Sequence, residues 1–287
     1  MSNSSQPPHY LNEQERFELW LEEASLSDDV VMEVCLHENT VCAQLMLRII
    51  LKREDLVVKS VSVQKALPNL YGHSARLDIL AEDTLGCLYD IEIQMHSKSR
   101  ELLPRSRAYS ALLDMHQLKK GDDYKDLREH WVIFIVDRDI FAKNLPLYRV
   151  ERCVFGEDEE QIEPIQFFGD GAHIVFVNAE RRNEDTPLAH LLHDIFCPNP
   201  KEMFYAELRE TLGHHKVNEG EIKMIREGYS KWEQAMVDIY QTRARDEVKR
   251  IFALNLLRDG ISPDLVARYT EMSLEEVQVL AKEEAKS

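Results

Sequence analysis

The segment Asp90-Ile91-Glu92-Ile93-Gln94 constrains this chain more than any other stretch of it. Three polar side chains alternate with two isoleucines, and in a β-strand residues two apart share a face. One face therefore gathers two acids and an amide, while the other enters apolar packing. Upstream, Ala75–Ala81 is a second β-prone run, and Glu82-Asp83-Thr84-Leu85-Gly86 joins it to Cys87–Gln94, which predicts an antiparallel hairpin. Folding the two runs about Thr84 and Leu85 brings Asp78 alongside this polar row, within a residue or so of opposite Glu92. Converging carboxylates repel unless they are protonated or neutralised, and a divalent cation with oxygen ligands is the common solution. Mg²⁺ fits, because it takes few carboxylates and keeps waters and substrate phosphate. The plainer reading of the same alternation is an amphipathic strand with a solvated acidic face.

The segments around the hairpin complete an αβββαβ order. From Asp28 to Arg53 apolar residues recur at helical spacing behind Ser27, Asp28 and Asp29, predicting one long helix or two broken near Glu38 and Asn39. Leu56–Gln64 alternates strictly, with Val57, Lys59, Val61 and Val63 on one face, and reads as a strand. Arg100–Lys120 predicts a helix ended by Gly121, and the apolar run Trp131–Val136 predicts a strand covered on both sides. Further strands are expected at Arg149–Phe155, Ile162–Phe168 and His173–Val177, with an acidic turn at Glu157–Glu160. Thr186-Pro187 opens a helix that stops before Pro198 and Pro200. Helices follow at Pro200–Leu212, Glu219–Leu257, Pro263–Tyr269 and Leu274–Ala285, the last behind a capping box of Ser273 and Glu276. The expected division is an N-terminal tail over 1–24, an α/β domain over 25–198 and a helical region over 199–287.

Charge and cysteine usage narrow the function classes. The 287 residues carry 35 basic and 52 acidic side chains, a net of −17, which is opposite to a generic nucleic-acid footprint. Between His96 and Gly121 the sign reverses, with Lys98, Arg100, Arg105, Arg107, Lys119 and Lys120 against Glu101 and Asp114. That stretch either meets a polyanion or forms a solvated helix face. Five scattered cysteines without a Cys-x-x-Cys pair exclude a disulfide framework and a zinc knuckle, and point to a reducing cytoplasmic setting. The longest apolar run has six residues, and the first residues lack a basic and apolar leader, so neither a membrane span nor export is expected. His190 and His193 lack the Glu of a zinc-hydrolase helix, and Cys35 and Cys42 read as core thiols. The last short helices hold Arg268, Lys282 and Lys286 against six acids, which suits a packing or oligomerisation tail better than a major-groove reader.

A helix, three meandering strands with Asp on the second and Glu-x-Gln on the third, then a helix and a fourth strand resembles the PD-(D/E)XK nuclease core. More narrowly, RLDILAEDTLGCLYDIEIQM, RSRAYSALLDMHQLKKGDDYKDL and HWVIFIVDRDIF are similar to the bacterial recombination-promoting nuclease and transposase family, over roughly residues 25–180. The resemblance implies an α/β PD-(D/E)XK nuclease-like fold with extra strands and an α-helical C-terminal extension. It also implies DNA cleavage dependent on Mg²⁺ or Mn²⁺. Its signature falls on Asp78, Glu92 and Gln94, with Asp78, Glu92 and the Ile93 carbonyl as metal ligands. Gln94 stands where the wider superfamily has Lys. It can hydrogen-bond a water but brings no charge. Lys98, Arg105 or Arg107 could supply that charge, and Arg105, Arg107 and Tyr109 are the expected DNA contacts. Such nucleases often add an acid from the first helix. Among Asp29, Glu33 and Glu38, Asp29 matches best, against the plainer reading of an acid on a helix dipole. Asp90 shares the face of Glu92, where it either supports the ligands from behind or, the favoured reading, lies at the surface. The rival function is a non-cleaving relative acting through its acidic helical tail as a protein-interaction or transposition accessory, and self-association is compatible with either.

Overall fold

A computed structural model describes residues 11–67, 75–95, 99–118, 120–157 and 167–284. Among them, six strands form one mixed sheet: β1 (Val58–Leu67), β2 (Ala75–Asp83), β3 (Leu88–Gln94), β4 (His130–Val136), β5 (Leu147–Val150) and β6 (Ala172–Asn178). Their order is β1-β2-β3-β4-β6-β5. β1, β2 and β3 pair antiparallel with one another, β4 pairs parallel with both β3 and β6, and β5 closes the edge antiparallel to β6. Val132, Ile133, Phe134 and Ile135 of β4 are all fully buried, as a continuous apolar run between two parallel neighbours requires. One face is covered by α4 (Ser99–Gln117), whose Leu102 and Leu113 join Val132, Phe134, Val136 and Phe176.

The helical pair before β1 breaks where expected. α1 (Glu13–Glu23) is followed by α2 (Asp29–Leu36) and α3 (Thr40–Leu51), the latter two meeting at 111°. Glu38 takes a left-handed φ of 54°, and the Asn39 side chain accepts the Cys42 amide at 3.1 Å, capping α3. No single helix among the described residues is long and apolar enough to cross a bilayer.

Four features depart from the sequence expectations. Residues 13–23, placed in the tail, form α1, because Asn12 and Glu15 make a capping box and Phe17 is buried. The strict alternation of Leu56–Gln64 fails: the register shifts between Val58 and Ser60, so Val58 and Val61 are buried while Val57 is exposed. The strand expected over Arg149–Phe155 is β5 plus a single bridge between Cys153 and Phe167, and most of Ile162–Phe168 lies outside the described residues. Pro200–Leu212 is a short 3₁₀ turn at Pro200–Glu202 followed by α6 (Ala206–Val217).

The chain divides into two compact units, Met1–Arg226 and Glu227–Ser287, whereas the sequence suggested a division after 198. In the first unit, Asp194 of α5 (Pro187–Phe196) is fully buried and accepts the amides of Phe204 and Tyr205 at 2.9 and 2.7 Å. Lys216 reaches back to the carbonyls of Pro198 and Glu22 at 2.8 and 3.3 Å. These bonds bind residues 199–217 to the α/β unit. In the second unit, the end of α7 (Glu219–Arg258), α8 (Pro263–Thr270) and α9 (Leu274–Glu284) bury Ala253, Val266, Val277 and Leu280. The Ser273–Glu276 capping box is formed, at 2.9 and 3.2 Å.

Asp194→Ala leaves two amides without their charged acceptor. It is expected to cost about 3 kcal/mol, read as a fall of roughly 6–12 °C in thermal midpoint. An unchanged melt would show that 199–217 is not held this way.

Candidate active site

The turn between β2 and β3 is locked by Asp83, whose Oδ1 accepts the amides of Leu85 and Cys87 at 2.8 and 2.9 Å and whose Oδ2 accepts the Tyr89 hydroxyl at 2.9 Å. Gly86 supplies the positive φ of 86° that closes it. This fixes the hairpin register at Glu82↔Leu88, Ala81↔Tyr89, Leu80↔Asp90 and Ile79↔Ile91. One step further, the strands are joined through side chains. The Asp78 amide donates to Glu92 Oε1 at 2.9 Å, and the Ile93 amide donates to Asp78 Oδ2 at 3.1 Å. Each carboxylate is thus clamped by the backbone of the opposite strand.

The acids are deep. Asp78 is 8% exposed, and Asp90 and Glu92 are fully buried. Asp90 is therefore buried and not at the surface, contrary to the sequence expectation. It shares the face of Glu92 and Gln94 and lies beside Val132 in the β3–β4 register. Burial pushes the Asp78 carboxyl up to about 6, helped by the charge of Asp29 and opposed by the Ile93 amide, Arg105 and Gln94. Burial also pushes Glu92 up to about 8, with Asp78 adding repulsion and the Asp78 amide and Arg105 opposing. Asp90 is raised well above the usual carboxylate range by burial first, then by the charges of Glu92 and Asp78.

Among the described residues, Arg105 answers these acids. Arg105 of α4 donates from Nη2 to Glu92 Oε2 at 2.8 Å, from Nη1 to Gln94 Oε1 at 2.7 Å and from Nε to the Tyr109 hydroxyl at 2.9 Å. Its guanidinium lies 4.9 Å from the Tyr109 ring centroid and 5.8 Å from that of Phe134. Arg105 and Tyr109 are one helical turn apart and share a face. Arg107 is exposed, about 200° around the helix from Arg105. Of the expected contacts, the fold thus brings Asp78, Glu92, Ile93, Gln94, Arg105 and Tyr109 together and leaves Arg107 outside. Asp29, at the start of α2, is close enough for its charge to act on Asp78. Glu33 and Glu38 are exposed. The side chain of Lys98 lies outside the described residues.

All the donors here are carboxylate and amide oxygens, the kind a hard divalent cation takes, and burial first, then the charge of neighbouring acids, raises the carboxyls. In kind, the residues fit Mg²⁺. Among the described residues, no group of three or more His, Cys, Asp or Glu stands ready arranged to hold a metal. Glu92 Oε2 is held by Arg105 at 2.8 Å.

Two further features lie outside the sequence motifs. Gln64 of β1 lies between the pairs Val63↔Ile79 and Lys65↔Leu77, across from Asp78, with a left-handed φ of 51° and a buried, unpaired side-chain nitrogen. At the other end of β4, Ser110 Oγ lies 2.8 Å from His130 Nε2, and His130 Nδ1 lies 3.1 Å from Asp114 Oδ1. Both Ser110 and His130 are buried, so this trio ties α4 to β4. The spacing of Ser110 and Asp114, one turn apart, is its trace in the sequence. His190 stacks on Phe204 at 3.9 Å, and His193 contacts Asp194.

A family model described as PD-(D/E)XK nuclease family transposase matches residues 38–184, more than half of the chain. The match includes Asp78, Glu92, Gln94 and Arg105 and excludes Asp29. No curated protein and no solved structure matches.

The three raised acids make stability fall with pH. Between the ordinary carboxylate range and their raised values, the folded chain keeps protons that the unfolded chain has lost, so the folded state is penalised as pH climbs from about 4 towards 8. In urea unfolding of the metal-free protein, Asp90→Asn is expected to exceed wild type in stability at pH 8, the advantage shrinking towards pH 5. Parallel pH profiles would refute the assignment of Asp90 as a penalised buried acid.

Proposed function

This chain belongs to the PD-(D/E)XK nuclease family transposases, and from that premise we propose that it is a Mg²⁺-dependent DNA endonuclease built on Asp78, Glu92 and Gln94. The observation that carries the reading is the clamp between strands, in which Asp78 and Glu92 are each oriented by the other's backbone. Side chains held this way pay little further ordering entropy when they ligate an ion.

Asp78 and Glu92 would hold the metal, with Asp29 in electrostatic reach and the Ile93 carbonyl as the backbone candidate for a third ligand. When bound, Mg²⁺ supplies Lewis acidity and lowers the pKa of a coordinated water. The Gln94 amide, 3.4 Å from Glu92 Oε2, offers a hydrogen bond that orients a water without adding charge. Arg105 and Tyr109 present a positive fork and a hydroxyl on the α4 side of the acids, groups suited to a phosphodiester. Arg107, on the outer face of α4, suits a contact further along the DNA backbone. Association with recombination or mobile elements follows the family description, and five free cysteines suit a reducing cytoplasm.

A second reading has one observation in its favour. With Glu92 engaged by Arg105 and Gln94 neutral, the same fold would serve as a non-cleaving protein-interaction or transposition accessory.

Supercoiled plasmid incubated with Mg²⁺ or Mn²⁺ separates the two. Wild type is expected to nick or linearise it, and Asp78→Ala or Glu92→Ala to lower the rate by roughly 10²-fold or more. Wild type as inert as both variants, across both metals, would favour the accessory.

A further inference from the structure

We propose that Arg105 and the metal are alternative partners of Glu92, so that ion binding frees the Arg105 guanidinium to grip the DNA phosphate. The inference rests on the nuclease reading and adds a role for Arg105 beyond a fixed DNA contact.

The geometry is specific. All three guanidinium nitrogens are engaged at once, on Glu92, Gln94 and Tyr109, and the plane is held against two aromatic rings. Arginine stays charged at any working pH, so it is a permanent counter-ion for a carboxylate with no solvent exposure. Its Nη1 touches the oxygen of Gln94, so α4 delivers a positive charge to the place where a neutral amide stands on β3.

Glu92 Oε1 accepts the Asp78 amide, and Oε2 accepts both Arg105 and, at 3.4 Å, Gln94. A cation on either oxygen of Glu92 shares one small carboxylate with the guanidinium and is repelled by its charge. Two positive groups compete for one carboxylate. The displaced guanidinium keeps its Tyr109 tether and becomes a fork without a carboxylate, which is the geometry that matches phosphate bidentately. The order of events follows: before the ion enters, Arg105 neutralises the buried acids and is withheld from DNA; afterwards it is available. A purely structural arginine would behave differently, since its loss would weaken ion binding and cleavage together.

The test is calorimetric titration of the metal-free protein with Mg²⁺, and with Ca²⁺ as a second probe. It is paired with single-turnover plasmid cleavage at saturating Mg²⁺, for wild type, Arg105→Gln, Arg105→Lys and Arg105→Gln combined with Gln94→Lys. Removing the competitor should tighten ion binding on the order of tenfold in Arg105→Gln, while cleavage falls by roughly 10²-fold. Arg105→Lys should lie between. The double variant should return towards wild type in both readouts, because Lys on β3 restores the charge. Unchanged or weaker ion binding in Arg105→Gln, with circular dichroism matching wild type, overturns the proposal while leaving the nuclease reading intact. Should Arg105→Gln fail to fold, Arg105→Lys decides by the same two readouts. A wild type that neither binds the ions nor cleaves overturns both.

Discussion

Two hydrogen bonds govern the site: the Asp78 amide to Glu92 and the Ile93 amide to Asp78. They replace backbone acceptors with carboxylates at the point where β2 and β3 stop pairing through their main chains. The exchange keeps buried amides satisfied, as any interior backbone requires. It also buries two acids side by side, and that charge must be answered. Everything nearby reads as an answer: Arg105 reaching in from α4, the raised acidities, and the aromatic rings that hold the guanidinium in place.

The surrounding fold supplies what the clamp needs. Asp83 fixes the turn and thereby the register, and a one-residue slip would send both acids to the opposite face. The apolar strands β4 and β6, covered by α4, form a rigid floor on which Arg105 and Tyr109 stand one turn apart. A net charge of −17 opposes a polyanion, so the proposed DNA contact falls to the local positive groups along α4. The charge absent from Gln94 on β3 is present on α4.

The hairpin and the nearness of Asp78 to Glu92 were legible in the chain because the period of two in Asp90–Gln94 and the Gly86 turn are local signals. The break between α2 and α3 was equally legible, from Glu38 and Asn39. Burial was not. Alternation says which side chains share a face but not whether a helix covers it, so Asp90 was placed in solvent when α4 seals it. Arg105 and Arg107 look alike in the sequence, and only the rotation of α4 separates the one on Glu92 from the one in solvent. The irregular φ of Gln64 and the bulge in β1 have no compositional mark, and α1 was overlooked although its capping box was in view.

The most direct measurement is the anomalous scattering of a crystal soaked in Mn²⁺. The account predicts a peak bonded to both Asp78 and Glu92, with the Arg105 guanidinium moved off Glu92 Oε2. An ion bound elsewhere, or Arg105 still on Glu92 with no peak between the two acids, would contradict it.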